Sequence, residues 1–405
     1  MTIKRVRVDQ LRPGMYVHDL DCGYLQHGFL LPRFLIKGEA QIQKMRRQGL
    51  DRIYIDIGKG LDVEEAPTLE EVQTEVRRDL EATASAGSAG PPARISQREE
   101  AAEARRIMGE AHLAVGHMLQ DVRMGRQVDL GKASPVVEQI TGSVLRNPGA
   151  ILSLCRIKAA DTYTFQHSVS VCALLVSFTH ALGLDAAIVQ EAGLGGLLHD
   201  TGKMKVPTEI LNKPGRLTEQ EFAVMKSHAA LSRQLLEGVP AISREVIQIA
   251  GEHHEKMGGG GYPDGISGDR ISRLGRMAAI VDCYDAITSN RCYHKGMEPS
   301  EALKKLLEWS GSHLDGDLVQ RFIRILGIYP VGALVRLESD RLAVVVEQED
   351  DLLKPTVRVV YDCAGAHRLP PRELRLLDGG DAIDCFEEPS DWGLDPMEFL
   401  CPAKT

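Results

Sequence analysis

The chain has 405 residues, 43% hydrophobic and 26% charged, a globular balance that excludes a fibrous repeat or wholesale disorder. That length implies two or three domains rather than one. A formal net charge of −9 argues against non-specific adhesion to nucleic acid or an anionic membrane; if the substrate is a phosphate compound, the positive charge it needs has to be local.

In chain order, Met1-Thr2-Ile3-Lys4-Arg5 is basic but has no apolar run behind it, which reads as no secretory signal. Residues 1–60 read as a small β-rich unit. Val6 and Val8 alternate with polar neighbours, Arg12-Pro13-Gly14 turns, and Ile53, Ile55 and Ile57 alternate again. Between them, Glu39 to Gly49 has helical composition, so the unit is α+β. Residues 61–96 turn acidic and end in the run Ala-Ser-Ala-Gly-Ser-Ala-Gly-Pro-Pro at 84–92, which predicts a flexible linker.

A connecting helix is expected over 97–127, with Ile107, Ala111, Val115, Met118 and Val122 on one apolar stripe. The stripe fits packing on the next domain and equally a dimerising or signalling helix, so a homodimer and signalling partners are compatible with it. Residues 128–327 are helical with short Gly- or Pro-marked loops. The most apolar stretch, Val171 to Leu184, is broken by Ser177, Thr179 and His180 and is shorter than the roughly 20 residues of a membrane helix. Strands follow over 328–380, and 381–405 reads as an acidic, loop-like tail. Eight scattered cysteines without a CxxC pair fit reduced core thiols. The chain reads as cytoplasmic, multidomain and mainly α.

Chemistry concentrates in the histidines. Of 13, five fall in an ordered series with two aspartates: His167, His199-Asp200, His228, His253-His254 and Asp282. Successive members lie 25 to 32 residues apart, one helix plus one loop, so antiparallel helices can each deliver one or two ligands to a shared interior point. A mixed imidazole–carboxylate set suits Fe, Mn, Zn or Co rather than Mg or Ca. Neighbours on a helix point about 100° apart, so an adjacent pair chelates best at a helix end or across two ions. Both pairs run into breaks, Thr201-Gly202-Lys203 and Gly258 to Gly261. The two oxygens of Asp200 make it the natural bridge of a binuclear site.

Residues 160–300 resemble the HD-GYP family of the HD phosphohydrolase superfamily. His199-Asp200-Thr201-Gly202-Lys203 matches its HDxGK motif, and Ile210 to Thr218 with Met225-Lys226-Ser227-His228 matches the stretch that follows. His253-His254-Glu255 leading to Gly259-Gly260-Gly261-Tyr262-Pro263 matches HHE…GxGYP, and Asp282-Cys283-Tyr284-Asp285-Ala286 with Thr288 to Arg291 matches the closing motif. Residues 1–60 are similar to an uncharacterised domain often found before such catalytic domains, and 328–380 to their small β extension. The resemblance implies an HD-superfamily helical bundle at 128–327.

It also implies a cyclic-nucleotide phosphodiesterase that hydrolyses cyclic di-GMP to linear pGpG, and in some members on to GMP. Carried over by position, His167, His199, Asp200 and Asp282 would hold one metal and Asp200, His228, His253 and His254 the other. The two divalent ions would be Fe or Mn first, with Zn, Co or Ni also fitting. Two cations roughly 3.5–4 Å apart can hold a bridging hydroxide and clamp phosphate oxygens. Asp200 and Lys203 are the expected catalytic residues, Lys203 by neutralising charge on the attacked phosphate. Lys203, Gly261, Tyr262, Pro263 and Arg291 are the expected substrate contacts, and Glu255 and Asp285 are expected behind the ligands. Some members carry a glutamate, four residues before the first histidine, that helps hold a third metal. Tyr163 stands there in this chain, which implies two metals and favours stopping at pGpG. Gly258 and His294 also depart from the common pattern. The rival reading is a low-activity cyclic di-GMP binding and signalling module that acts through partners.

Overall fold

The computed structural model describes residues 2–21, 33–87, 90–91, 93–155, 163–213, 215–289 and 296–400, without the side chains at 163, 164 and 397. The N-terminal unit comprises β1 (Ile3–Arg7), β2 (Tyr16–Asp19), β3 (Phe34–Leu35), α1 (Glu39–Arg47) and β4 (Arg52–Asp56). Its antiparallel sheet runs β1-β4-β2-β3. Alternation sends Val6, Val17, Ile53 and Ile55 to one core with Ile42 and Met45 of α1.

Twelve α-helices among the described residues build the middle of the chain beyond residue 61 and before the second sheet. In order they are α2 (Leu69–Ser85), α3 (Gln97–Arg123), α4 (Leu130–Arg146), α5 (Pro148–Cys155), α6 (Tyr163–Ala181) and α7 (Ala186–Leu198), then α8 (Thr208–Leu211), α9 (Glu219–Glu237), α10 (Arg244–Glu252), α11 (Arg273–Thr288) and α12 (Pro299–Glu308). The last of them, α13 (Gly316–Leu326), closes the bundle.

The expectation of a flexible linker over 61–96 needs correction, because α2 occupies half of it. Thr68 starts the helix with a capping box: its hydroxyl accepts from Glu71 N at 3.2 Å, and its own N–H donates to Glu71 Oε2 at 2.7 Å. Val72, Val76, Leu80 and Ala84 recur every fourth residue and are buried. Leu80 and Ala84 join Phe178, Leu303 and Phe322 in one cluster. The acidic composition belongs to the opposite, solvated face.

The stripe of α3 is likewise buried within the chain. Ile107, Ala111, Val115, Met118 and Val122 pack with Val137, Ile140, Val169 and Cys172. The packing alternative therefore accounts for the stripe. No described helix is long and apolar enough to cross a membrane.

A second sheet follows: β5 (Leu334–Leu337), β6 (Arg341–Glu347), β7 (Thr356–Asp362), β8 (His367–Arg375) and β9 (Ile383–Phe386), in the order β8-β7-β6-β5-β9. The stretch read as a loop-like tail thus supplies an edge strand, with Val335 opposite Phe386. It also supplies the short α14 (Pro396–Leu400), whose Phe399 and Leu400 cover Leu342, Val344 and Val360. Four residues of β9 carry too little alternation to be read as a strand without the partner.

The N-terminal unit is seated on the helical domain through α12. Trp309 Nε1 donates to the Asp21 carbonyl at 3.0 Å, Lys305 Nζ to Asp21 Oδ1 at 3.0 Å, and Tyr54 Oη to Glu308 Oε2 at 3.4 Å. Lys305 and Glu308 are themselves paired at 2.6 Å.

Candidate metal centre

Five helices deliver the histidine–aspartate series to one point. His167 comes from α6, His228 from α9 and Asp282 from α11. Both neighbouring pairs sit where a helix stops. His199 closes α7 and Asp200 leaves the helix for a 3₁₀ turn, while His253 closes α10 and His254 follows it. Gly202 lets that turn lie on α9, because a Cβ there would fall 2.1 Å from the His228 carbonyl oxygen. Its N–H donates to Ser232 Oγ at 2.8 Å. The sequence reading passed over Ser232; its signal is the four-residue step from His228 on one face of α9.

Two groups form around Asp200. Its Oδ2 lies 3.5 Å from His167 Nε2 and 3.2 Å from His199 Nε2. Its Oδ1 lies 3.3 Å from His228 Nε2 and 4.0 Å from His253 Nε2. Asp282 Oδ1 closes the first group at 3.0 Å from His167 Nε2 and 3.7 Å from His199 Nε2. His254 joins the second, its ring centroid 4.1 Å from that of His253 and 4.9 Å from that of His228.

The far nitrogens are tied down. Nδ1 of His199 is 2.8 Å from the Gly196 carbonyl, Nδ1 of His228 is 2.7 Å from that of Met225, and Nδ1 of His253 is 3.0 Å from that of Ala250. A carbonyl can only accept, so each Nδ1 carries a proton and each Nε2 is the nitrogen turned to the centre. His167 Nδ1 is held in the same way by Asp285 Oδ2 at 2.6 Å. Asp285 therefore stands behind a candidate ligand and orients it.

This donor set fits metal ions. His199 Nε2 and Asp200 Oδ1 are buried without a hydrogen-bond partner, although nitrogens and oxygens crowd around them. Leaving such atoms unsatisfied is costly unless something else satisfies them. Three triads, His228–His253–His254, His167–His199–Asp282 and His199–Asp200–His253, each offer ligand atoms within 4.8 Å of one another.

Protonation is divided in the same way. Burial works against charge on Asp200 and Asp282, yet the imidazoles, joined at Asp200 by Lys203, hold both well below the usual carboxylate range. Burial pushes His228 down to about 4 and His253 to about 3, and it lowers His254 as well. For His199 burial is outweighed by Asp200 and Asp282, which raise it to about 10; His167 is raised by the same two and Asp285. Ionised carboxylates and neutral imidazoles are the forms that ligate cations.

The remaining predicted residues lie nearby or elsewhere. Lys203 pairs with Asp200 Oδ2. The Tyr262 ring lies 4.6 Å from that of His254, and its N–H donates to the His254 carbonyl at 3.2 Å. Gly261 and Tyr262 line a cavity of about 140 Å³ that opens on His253 and His254; Pro263 follows in the same loop. Glu255 is a correction: rather than backing a ligand, its Oε1 accepts from Asp264 N at 2.7 Å and Gly265 N at 2.9 Å, pinning the glycine-rich loop. Gly258 donates to the Ser312 carbonyl at 2.7 Å. Pro214, Asn290, Arg291 and His294, and the Tyr163 side chain, lie outside the described residues. A larger cavity of about 1050 Å³ touches the centre only through Asp285.

The chain is similar to several known proteins. The HD domain family model matches residues 155–318, and the domain of unknown function DUF3391 matches 3–133. The chain is 42% identical to the cyclic di-GMP phosphodiesterase PA4108 of Pseudomonas aeruginosa, over 98% of this chain and 95% of that one. It is 35% identical to the 3'3'-cGAMP-specific phosphodiesterase 1 of Vibrio cholerae, over 47% of this chain and 44% of that one. A solved HD-GYP protein of Bdellovibrio bacteriovorus, Bd1817, superposes with a TM-score of 0.48 at 20% identity, over 80% of this chain and 99% of that one. Helices meeting at a histidine–aspartate centre define an HD-superfamily protein. Within it, this chain belongs to the HD-GYP family, with a DUF3391 domain at its front.

Proposed function

We propose that the chain is a metal-dependent phosphodiesterase that opens cyclic di-GMP to linear pGpG at a binuclear centre. The observation that carries this reading is Asp200, whose two oxygens face two different groups of imidazoles. His167, His199, Asp200 and Asp282 would hold one cation, and Asp200, His228, His253 and His254 the other. The nitrogen-rich, thiolate-free set favours Fe or Mn, with Zn, Co or Ni also fitting. The substrate is supported by full-length likeness to a protein described as a cyclic di-GMP phosphodiesterase.

When bound, the cation pair polarises the phosphate and makes water nucleophilic near neutral pH. The side chains do the rest. Asp200 and Asp282 stay ionised, and the carbonyls of Gly196, Met225 and Ala250 fix the imidazole tautomers. Lys203 brings an ammonium to the edge of the centre, where charge on the attacked phosphate grows. Tyr262 offers an aromatic face on which a guanine can stack, with Gly261 and Pro263 shaping the loop. Arg291 would grip phosphate, and Asp285 keeps His167 aimed.

The test is to incubate Mn(II)-loaded or anaerobic Fe(II)-loaded protein with cyclic di-GMP and, separately, with 3'3'-cGAMP, and to separate the products. Accumulation of pGpG is expected. Binding of cyclic di-GMP with no linear product would replace the reading with a non-hydrolytic sensor.

A further inference from the structure

The cavity beside His253 and His254 is not closed by the helical domain alone. The C-terminal end of α1 forms part of its wall: Arg47 and Gln48 line it together with Lys226, His254 and Tyr262. Two features fix α1 there. Lys256 Nζ donates to the Gln48 carbonyl at 3.4 Å, and Lys44 pairs with Glu219 at the start of α9. Beyond Gln48, backbone meets backbone. Gly49, at φ +67°, lies so close to Gly260, at φ +75°, that a Cβ on Gly49 would fall 2.9 Å from the Gly260 oxygen. The seat on α12 through Asp21, Lys305 and Trp309 holds the N-terminal unit in the same pose. The turn after α1 therefore leans on the loop that carries Tyr262.

The charge at this mouth is positive in a chain of net −9. The Lys226 ammonium lies over two rings, 5.3 Å from the centroid of Phe222 and 5.8 Å from that of Tyr262. Arg47 is exposed and makes no ion pair among the described residues. Its neighbour Arg46, by contrast, is 3.9 Å from Glu39. An uncommitted guanidinium lining a cavity next to a phosphate-cleaving centre has an obvious chemical complement. A cyclic dinucleotide carries two phosphodiester groups, and when one lies at the metal centre the other has to lie outside it. A planar guanidinium fork fits that second phosphate.

We propose that Arg47, from the N-terminal domain, is a substrate-binding residue that contacts the non-scissile phosphate, so that the active site is completed by two domains. This rests on the reading of the chain as a cyclic di-GMP phosphodiesterase. The site of cleavage belongs to the helical domain, and part of the grip on substrate belongs to its neighbour.

The test uses the full-length Mn(II)-loaded chain and three variants, Arg47→Ala, Arg47→Lys and Arg47→Glu, with cyclic di-GMP affinity measured alongside steady-state kinetics. Arg47→Ala should raise both Kd and KM about tenfold, the loss of one charge-assisted hydrogen bond, while kcat changes far less. Arg47→Lys should recover part of the loss, and Arg47→Glu should deepen it. The salt dependence of binding should flatten when the charge is removed. Bound metal and melting temperature, followed in parallel, report whether the fold and centre survive. If the wild-type chain cleaves cyclic di-GMP and Arg47→Ala keeps the same KM, Kd and salt slope, the proposal is wrong and the phosphodiesterase reading stands. If the wild-type chain neither binds nor cleaves it, both fall together.

Discussion

The two halves of the histidine–aspartate centre use the same residue types in different surroundings. Around His167 and His199 stand three carboxylates, Asp200, Asp282 and Asp285, and both imidazoles are pulled up in pKa. Around His228, His253 and His254 the nearest carboxylate oxygens are Asp200 Oδ1 and, at 3.9 Å from His254, Asp282 Oδ2, and burial keeps the imidazoles neutral. The first half is enclosed and rich in negative charge. The second opens on the cavity shared with Tyr262 and the N-terminal domain. Under the proposed function, the first half would hold its cation and the second would also meet the substrate.

The harshest way to break the comparison is Asp200→Ala, since that residue belongs to both halves. It should lower activity about a thousand-fold or more and strip metal from the protein, measured by product separation and metal analysis. Full metal occupancy in the variant would show that the two groups do not share it.

Asp285→Asn sharpens the contrast, because the only imidazole its carboxylate is bonded to among the described residues is that of His167. Metal affinity should fall about 10- to 100-fold for one of two bound ions, seen as a split in a metal titration. Equal weakening of both ions would mean that the halves are not separable.

Protons give the smallest and most selective test. In the metal-free chain His199 stays protonated up to about pH 10, so a cation entering the first half must displace that proton. Its affinity should rise with pH, up to about tenfold per unit for each proton lost, until pH passes about 10. His228 and His253 are already neutral above about 4 and about 3, so the second half should bind with little pH dependence between pH 6 and 8. Metal titrations across that range in weakly buffered solution read both; uptake without proton release would contradict the assignment.

Much of this arrangement was legible in the residues. The meeting of His167, His199, Asp200, His228, His253, His254 and Asp282 follows from one-helix spacing, and the placing of both adjacent pairs at helix ends follows from the glycines behind them. The rest required partners in space. Helix α2 was hidden because acidic residues and a low-complexity run outweighed Val72, Val76 and Leu80, whose four-residue step means little until α12 and α13 cover it. Glu255 follows His254 directly, yet past the helix end its carboxylate turns to loop amides instead of a ligand. Arg47 lies more than two hundred residues from the histidines it approaches, and no local pattern could join them.

The endings of α7 and α10 carry one more implication. Both helices direct their carboxyl termini at the centre, and the last carbonyls of each bear the negative pole of a helix macrodipole. Two such poles add a standing attraction for cations that depends on no side chain. Point substitutions among the imidazoles would leave it intact, so a variant lacking one histidine should retain residual ion binding at high metal concentration.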